Sequence, residues 1–189
     1  MAYVTGTATT IYDLMDVVNT VLTTQIGETK NWFLEEFEEV EGKKSQCIWR
    51  GVGGGNDKIY IGARVVLTGE QSGRIEFNGF AGYDPKLDFD DQVGGITKST
   101  VNTSLPALPM TDNSLFTYWV VANSYRVIII VKMQTQYESA YMGFFTPISA
   151  ERQYPYPLVI AGSSFGNSEW YTRGDDRGSV ATPASLTPA

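Results

Sequence analysis

The carboxylates are the residues of this sequence with the most chemistry to offer. Glu35, Glu36, Glu38, Glu39 and Glu41 fall within one short stretch. Two of them could in principle supply the acid and base of a glycosidase. That reaction needs two specific carboxyls facing each other across a cleft, with their pKa values pushed apart. A contiguous run meets neither condition and reads as a solvated charged face. A second group, Asp84, Asp88, Asp90 and Asp91, offers hard oxygen ligands of the kind Ca²⁺ takes. The segment Asp84-Pro85-Lys86-Leu87-Asp88-Phe89-Asp90-Asp91 lacks the alternating ligands, central glycine and terminal glutamate of an EF-hand. Turn formation and capping by aspartate account for the same residues.

Histidine is absent from the sequence, which removes the commonest general base and the commonest transition-metal ligand together. Gly162-Ser163-Ser164-Phe165-Gly166 has the look of a nucleophile elbow, but it is not G-x-S-x-G, and no imidazole exists to activate a serine. Gly51 to Gly55 is glycine-rich, yet no Gly-Lys-Ser/Thr follows and the next segment reads as strand, so no phosphate cradle opens a helix. It reads as a hairpin loop. The tripeptides Arg173-Gly174-Asp175 and Asn102-Thr103-Ser104 match adhesion and glycosylation patterns that arise often by chance. Trp32, Trp49, Trp119 and Trp170 could stack on sugars, but strand-like surroundings favour core or interface packing. Cys47, the single cysteine, cannot form an internal disulfide and reads as a half-buried thiol. The expectation is a chain with no catalytic residue, no metal site and no organic cofactor.

Composition sets the class of partner. The 189 residues include 14 basic and 21 acidic side chains, a net charge of −7 and a pI near 4.6. Binding through phosphates draws on clustered Lys and Arg, so nucleic acid is not an expected partner. Apolar residues make up 42% and aromatic residues 13%, a globular composition rich in the side chains that favour strands and interfaces. The start, Met1-Ala2-Tyr3-Val4-Thr5-Gly6-Thr7, lacks the basic and apolar regions of a signal peptide. The longest apolar run, residues 127–131, is too short to span a bilayer. A protein folded in the cytoplasm, without a membrane partner, is expected.

The elements that would hold these residues follow from spacing. Ile11, Leu14, Met15, Val18, Val21 and Leu22 recur every three or four positions, which predicts a helix over 9–25 with Thr9 or Thr10 as N-cap and Gly27 past its end. Residues 31–41 read as a strand fading into an acidic turn. Short apolar segments cut by glycine, at 46–50, 58–67 and 74–83, predict an antiparallel meander. The polar stretch 84–113 reads as a surface excursion. Residues 116–122 and 126–136, joined by Asn123-Ser124, form the strongest hairpin signal. The unbroken run Val127-Ile128-Ile129-Ile130-Val131 predicts a strand covered on both faces, by the helix or by a neighbouring subunit. Further strands are expected at 137–146 and 158–160, and a flexible terminus over 174–189. The expected fold class is α+β: one N-terminal helix packed on a mainly antiparallel β-sandwich or barrel-like sheet. Residues 1–164 would form one domain and 165–189 a C-terminal extension or arm.

One segment points to contact with another molecule. In Tyr154-Pro155-Tyr156-Pro157-Leu158 the prolines fix φ and remove two donors, so the segment docks already extended. Tyrosines alternate with them. With Phe165 and Trp170 nearby, the side chains are those enriched at interface hot spots. Tyr154, Pro155, Tyr156, Pro157, Leu158, Phe165 and Trp170 are therefore the candidate intersubunit residues; the alternative is an arm that covers an edge of this chain's own core.

Four blocks resemble a family of virion structural proteins encoded among the tail genes of tailed bacteriophages. They are Arg50-Gly51-Val52-Gly53-Gly54-Gly55-Asn56-Asp57-Lys58-Ile59-Tyr60-Ile61-Gly62; Asn78-Gly79-Phe80-Ala81-Gly82-Tyr83 with Gln92-Val93-Gly94-Gly95; Tyr118-Trp119-Val120-Val121-Ala122-Asn123; and residues 136–164. The last is the most specific, with Ala140-Tyr141-Met142-Gly143-Phe144 and Gln153-Tyr154-Pro155-Tyr156-Pro157-Leu158 before Gly162-Ser163. The similarity spans about residues 7–164. In that family a proline often stands at the position of Val93, and a basic pair follows the turn where this chain has Ser124-Tyr125-Arg126. The resemblance implies a tail, baseplate or neck component, assembled in the bacterial host cytoplasm, that partners other virion proteins as a homo-oligomer. It supplies no catalytic residue. A glycan-binding, receptor-contacting module on the virion is the alternative, resting on exposed aromatics near glycine-rich loops.

Overall fold

A computed structural model describes residues 1–29, 31–52, 59–69, 72–95, 105–111, 114–144, 158–163 and 178–181. The helix forms where the apolar spacing places it. Helix α1 (Ile11–Thr20) continues into a π-helical turn over Val21–Gln25. Thr10 caps it: the Asp13 N–H donates to Thr10 Oγ1 at 3.1 Å, and the Thr10 N–H donates back to Asp13 Oδ2 at 3.0 Å. This reciprocal capping box satisfies two amides that a helix start otherwise leaves unpaired. All six residues of the 3.6-residue pattern are buried. Gly27 leaves the helical turn at φ +136°, a conformation open to glycine, and Asn31 Oδ1 accepts the Ile26 and Gly27 N–H groups.

Among the described residues eleven strands form: β1 (Ala2–Ala8), β2 (Phe33–Val40), β3 (Lys43–Gly51), β4 (Ile59–Gly69), β5 (Ser72–Phe80), β6 (Ala107–Thr111), β7 (Phe116–Ala122), β8 (Arg126–Met133), β9 (Gln136–Phe144), β10 (Leu158–Ser163) and β11 (Gly178–Ala181). Their pairing runs β1-β7-β8-β9-β10-β6-β5-β4-β3-β2, all antiparallel, with β11 on β10. The path is thinnest between β10 and β6, where Ser163 opposite Ala107 is the only paired position among the described residues. There it divides into two sheets, and among the described residues β1 and β2 remain as free ends and no barrel closes. The architecture is α+β and sandwich-like, as the pattern of one helix among many strands requires.

One core joins the sheets and the helix. Trp49, Ile75 and Phe77 from one sheet share it with Val120, Ile129 and Met142 from the other, together with Leu14 and Val18 of α1. Two indoles pin the layers. Trp49 Nε1 donates to Asn19 Oδ1 of α1 at 2.9 Å, and Trp32 Nε1 donates to the Asn123 carbonyl in the β7–β8 turn at 2.9 Å. A buried indole N–H needs such a partner.

Several expectations are corrected. The strand expected over 31–41 forms and runs further than its acidic residues suggested: Glu35, Glu36, Glu38 and Glu39 lie within β2, and of the run Glu41 alone occupies the turn that follows, at φ 52°. The 84–113 stretch is not merely a surface excursion. Phe89, on a single 3-10 turn, packs edge-on against Phe80 with ring centroids 5.5 Å apart, and together with Ile48 they form a second apolar cluster. Leu105, Leu108 and Met110 of the same stretch are buried too. Gln92 holds that loop, accepting the Asp84 N–H and donating to the carbonyls of Asp84 and Leu87 at 3.0 and 2.7 Å. Gly62 makes room for it: a Cβ there would stand 2.5 Å from the Phe89 ring and 2.7 Å from Phe80. The run 127–131 is not covered equally on both faces. Val127, Ile129 and Val131 are fully buried, whereas Ile128 and Ile130 stay half-exposed. Finally, Gly178–Ala181 form β11 within the segment expected to be a loose terminus.

Candidate interaction site

The half-exposed side of β8 belongs to a larger surface. Residues directly opposite each other in an antiparallel ladder share a face, so register defines the rows. Tyr3, Val121, Ile128 and Tyr141 form one row across β1, β7, β8 and β9. Thr5, Trp119, Ile130 and Ser139 form the next, and Thr7, Thr117, Lys132 and Tyr137 a third. Alternation explains the split. On β7 the burial pattern alternates strictly, Phe116, Tyr118, Val120 and Ala122 pointing inward and Thr117, Trp119 and Val121 outward.

Aromatic rings organise this face. Trp119 and Tyr137 reach across β8 and stack with centroids 6.3 Å apart and an interplanar angle of 25°, and the Lys132 ammonium lies 5.5 Å from the Tyr137 ring. Tyr3 and Tyr137 are about three-fifths exposed, at 60% and 61%. Tyr141 donates from its hydroxyl to the Phe144 carbonyl at 3.0 Å, and burial raises its pKa. Lys132 within the rows and exposed Arg126 at the end of β8 are the charged residues of this side, and no carboxylate occurs in the rows. On a chain with a net charge of −7, that is a segregated surface of the kind found at protein interfaces, where charged residues are depleted and Tyr and Trp enriched.

The glutamate run is built differently. β2 is an end strand, and its carboxylates are engaged singly: Glu35 with Arg50, Glu39 with Lys44, and Glu36 as acceptor from the Tyr83 hydroxyl at 3.0 Å. Burial and then this contact with Glu36 push the Tyr83 pKa up to about 12. Arg50 and Lys44 also lie over the rings of Phe33 and Phe37, at 4.2 and 4.0 Å. No two of these glutamates face each other across a cleft, as a glycosidase would require.

The remaining candidates resolve as follows. Asp84 caps its own turn, accepting the Lys86 N–H, and Asp90 accepts from Arg64 Nη1 at 2.7 Å. Among the described residues the aspartates do not gather into a cluster of metal-ligating groups. Cys47 is fully rather than half buried, and burial pushes its thiol up to about 12, which leaves it a core residue. Trp32 and Trp49 are core, and among the described tryptophans Trp119 is the one that reaches the surface. Leu158 is 2% exposed and packs against β5, where a Cβ on Gly79 would stand 2.8 Å from it; its side chain is committed to this chain's own interior. Tyr154, Pro155, Tyr156, Pro157, Phe165 and Trp170 lie outside the described residues, as do Trp170's neighbours in the Arg173-Gly174-Asp175 tripeptide, the Asn102 sequon and Gly53 to Gly55.

A charge cluster that sequence reasoning missed sits between β4 and β5. Glu76 is 1% exposed and accepts from Arg64 Nε at 3.0 Å and from Arg74 Nε and Nη2 at 2.9 and 2.7 Å. Arg64 also lies 4.9 Å over the Phe89 ring, bonded to Asp90. Burial works against the Arg64 charge, but Asp90 and Glu76 more than compensate and raise its pKa. Two basic and two acidic groups balance, as burial of charge demands. The signal was present in the sequence: Arg64 and Glu76 fall opposite each other once the β4–β5 hairpin is put in register, and Arg74 is two positions from Glu76 on the same face.

The chain matches no protein-family model and no curated protein.

Proposed function

We propose that this chain is a structural component of a tailed-bacteriophage virion, in the tail, baseplate or neck, and that it acts through protein–protein assembly and not through catalysis. The observation that carries the assembly reading is the outer face of β1, β7, β8 and β9. It groups Tyr3, Trp119, Ile128, Ile130 and Tyr137 with two basic residues, Arg126 and Lys132, and no carboxylate, on a chain otherwise rich in acidic side chains. The virion setting rests on the four sequence blocks and their likeness to tail-gene proteins. Other virion proteins and further copies of the chain are the partners this reading calls for.

The test is incorporation. Mass spectrometry and imaging of purified particles should locate the chain at stoichiometric copy number. Ile130→Glu places a carboxylate on the half-exposed side of β8, so it should leave the isolated protein folded while abolishing incorporation. A chain absent from particles, or a folded Ile130→Glu variant incorporated normally, refutes the reading. A glycan-binding role is the second reading, favoured by the stacked Trp119–Tyr137 pair with hydroxyl-bearing Thr117 and Ser139 beside it. Saturable sugar binding lost in Tyr137→Ala would establish it.

A further inference from the structure

The two ends of the strand path, free among the described residues, are protected very differently. A free strand edge presents unpaired N–H and C=O groups and templates pairing with another chain unless charge, proline or bulges blunt it. β2 has such devices: four glutamates within the strand and two breaks in register, between Leu34 and Glu36 and between Glu38 and Glu39. β1 has none. Ala2-Tyr3-Val4-Thr5-Gly6-Thr7-Ala8 contains no charged residue and no proline, pairs with β7 without a register break at all seven positions, and among the described residues pairs with no other strand. It is also the border of the carboxylate-free face, to which it contributes the exposed side chains of Tyr3, Thr5 and Thr7.

We infer that β1 is a self-pairing edge: two copies of this chain join antiparallel through β1 about a two-fold axis at Thr5, which makes one continuous sheet and one continuous aromatic face across the pair. This rests on the assembly reading and specifies its partner as a second copy. Charge favours that partner, because two strongly acidic molecules can approach at little electrostatic cost only where neither presents carboxylates. Geometry sets the register. Opposed residues must share a face, so their numbers share parity, and centring on Thr5 is the register that pairs all seven residues, with Tyr3 opposite Thr7 and Ala2 opposite Ala8. A two-fold contact of this kind is closed, so pairing stops at two.

Sedimentation equilibrium of the full chain across about 1–100 µM should show a reversible dimer. Thr5→Lys sets two ammonium groups against each other on the axis and should weaken the dimer about tenfold or more, since like charges opposed at an interface repel. Thr5→Ala loses the same hydrogen bond to the Tyr118 carbonyl but adds no charge, and it should remain dimeric. Thr5→Cys reports directly: Cys47 is buried and is the only native cysteine, and opposed Cα atoms in an antiparallel pair are within disulfide reach, about 4.5–5.5 Å. Mild oxidation should link two chains through position 5, whereas Lys86→Cys, remote and exposed, should not link. A monomeric wild type overturns the inference, as does an oligomer unmoved by Thr5→Lys and unlinked by Thr5→Cys. Either result would leave the assembly reading to its own test, because incorporation in particles and the Ile130→Glu defect do not require β1 to pair with itself.

Discussion

Replacing Glu76 with glutamine removes one charge from a buried cluster while keeping the side-chain shape. The carboxylate is 1% exposed, and it neutralises two guanidinium groups whose side chains are 15% and 16% exposed. Glu76→Gln leaves three charge-assisted hydrogen bonds weakened and an excess positive charge between β4 and β5. Breaking a buried ion pair by removing one partner costs about 3–5 kcal/mol. The slight exposure of both arginines, and the pairing of Arg64 with Asp90 at 2.7 Å, place this case at the lower end, at about 3 kcal/mol. That is a large share of the about 5–15 kcal/mol that holds a domain folded. Urea unfolding followed by tryptophan fluorescence measures it, since Trp32 and Trp49 are core residues. A double-mutant cycle with Arg74→Met should return a coupling above about 1 kcal/mol. A Glu76→Gln cost below about 0.5 kcal/mol would refute the reasoning, because surface substitutions away from buried networks stay within that bound.

Two further outcomes are expected. Burial tends to raise the Asp13 pKa, but hydrogen bonds from Lys43 and Thr10 outweigh it and hold the carboxyl down at about 2 against an ordinary 3.8. A depressed pKa stabilises the fold above the ordinary value and ceases to do so as pH falls through the folded one, so the stability difference between wild type and Asp13→Asn should shrink between about pH 4 and pH 2. The full shift would correspond to about 2.5 kcal/mol, which solvent screening at 29% and 43% exposure of Asp13 and Lys43 reduces to about 1 kcal/mol. A difference independent of pH in that window would contradict it. Cys47, with its thiol at about 12, should resist thiol-specific reagents in the folded protein and react at full rate in urea; rapid labelling of the native state would show that the core opens there.

Local rules sufficed for much of this molecule. The spacing of Ile11, Leu14, Met15, Val18, Val21 and Leu22 determined α1 and its buried face, because a helix places residues three and four apart on one side whatever it packs against. The glycine-cut meander and the Asn123-Ser124 hairpin were legible for the same reason: turn chemistry and alternation act within a few residues. Composition also set the bare facts of charge and the absence of imidazole. What the sequence could not express was which strands meet across long separations. β1 was not foreseen as a strand, because its small residues, Ala2, Gly6 and Ala8, gain their role only against β7, over 100 positions away, where the Tyr118 ring fills the space beside Gly6. The run 127–131 could not reveal its two unequal sides, since five apolar residues look alike until neighbours cover one side and leave Ile128 and Ile130 beside Trp119 and Tyr141. Likewise Phe89 and Gln92 became interior residues only when their loop folded back on Gly62 and Phe80. Local propensity is a property of neighbours in the chain, whereas burial, ion pairing and a shared face are properties of neighbours in space, and these only tertiary structure brings together.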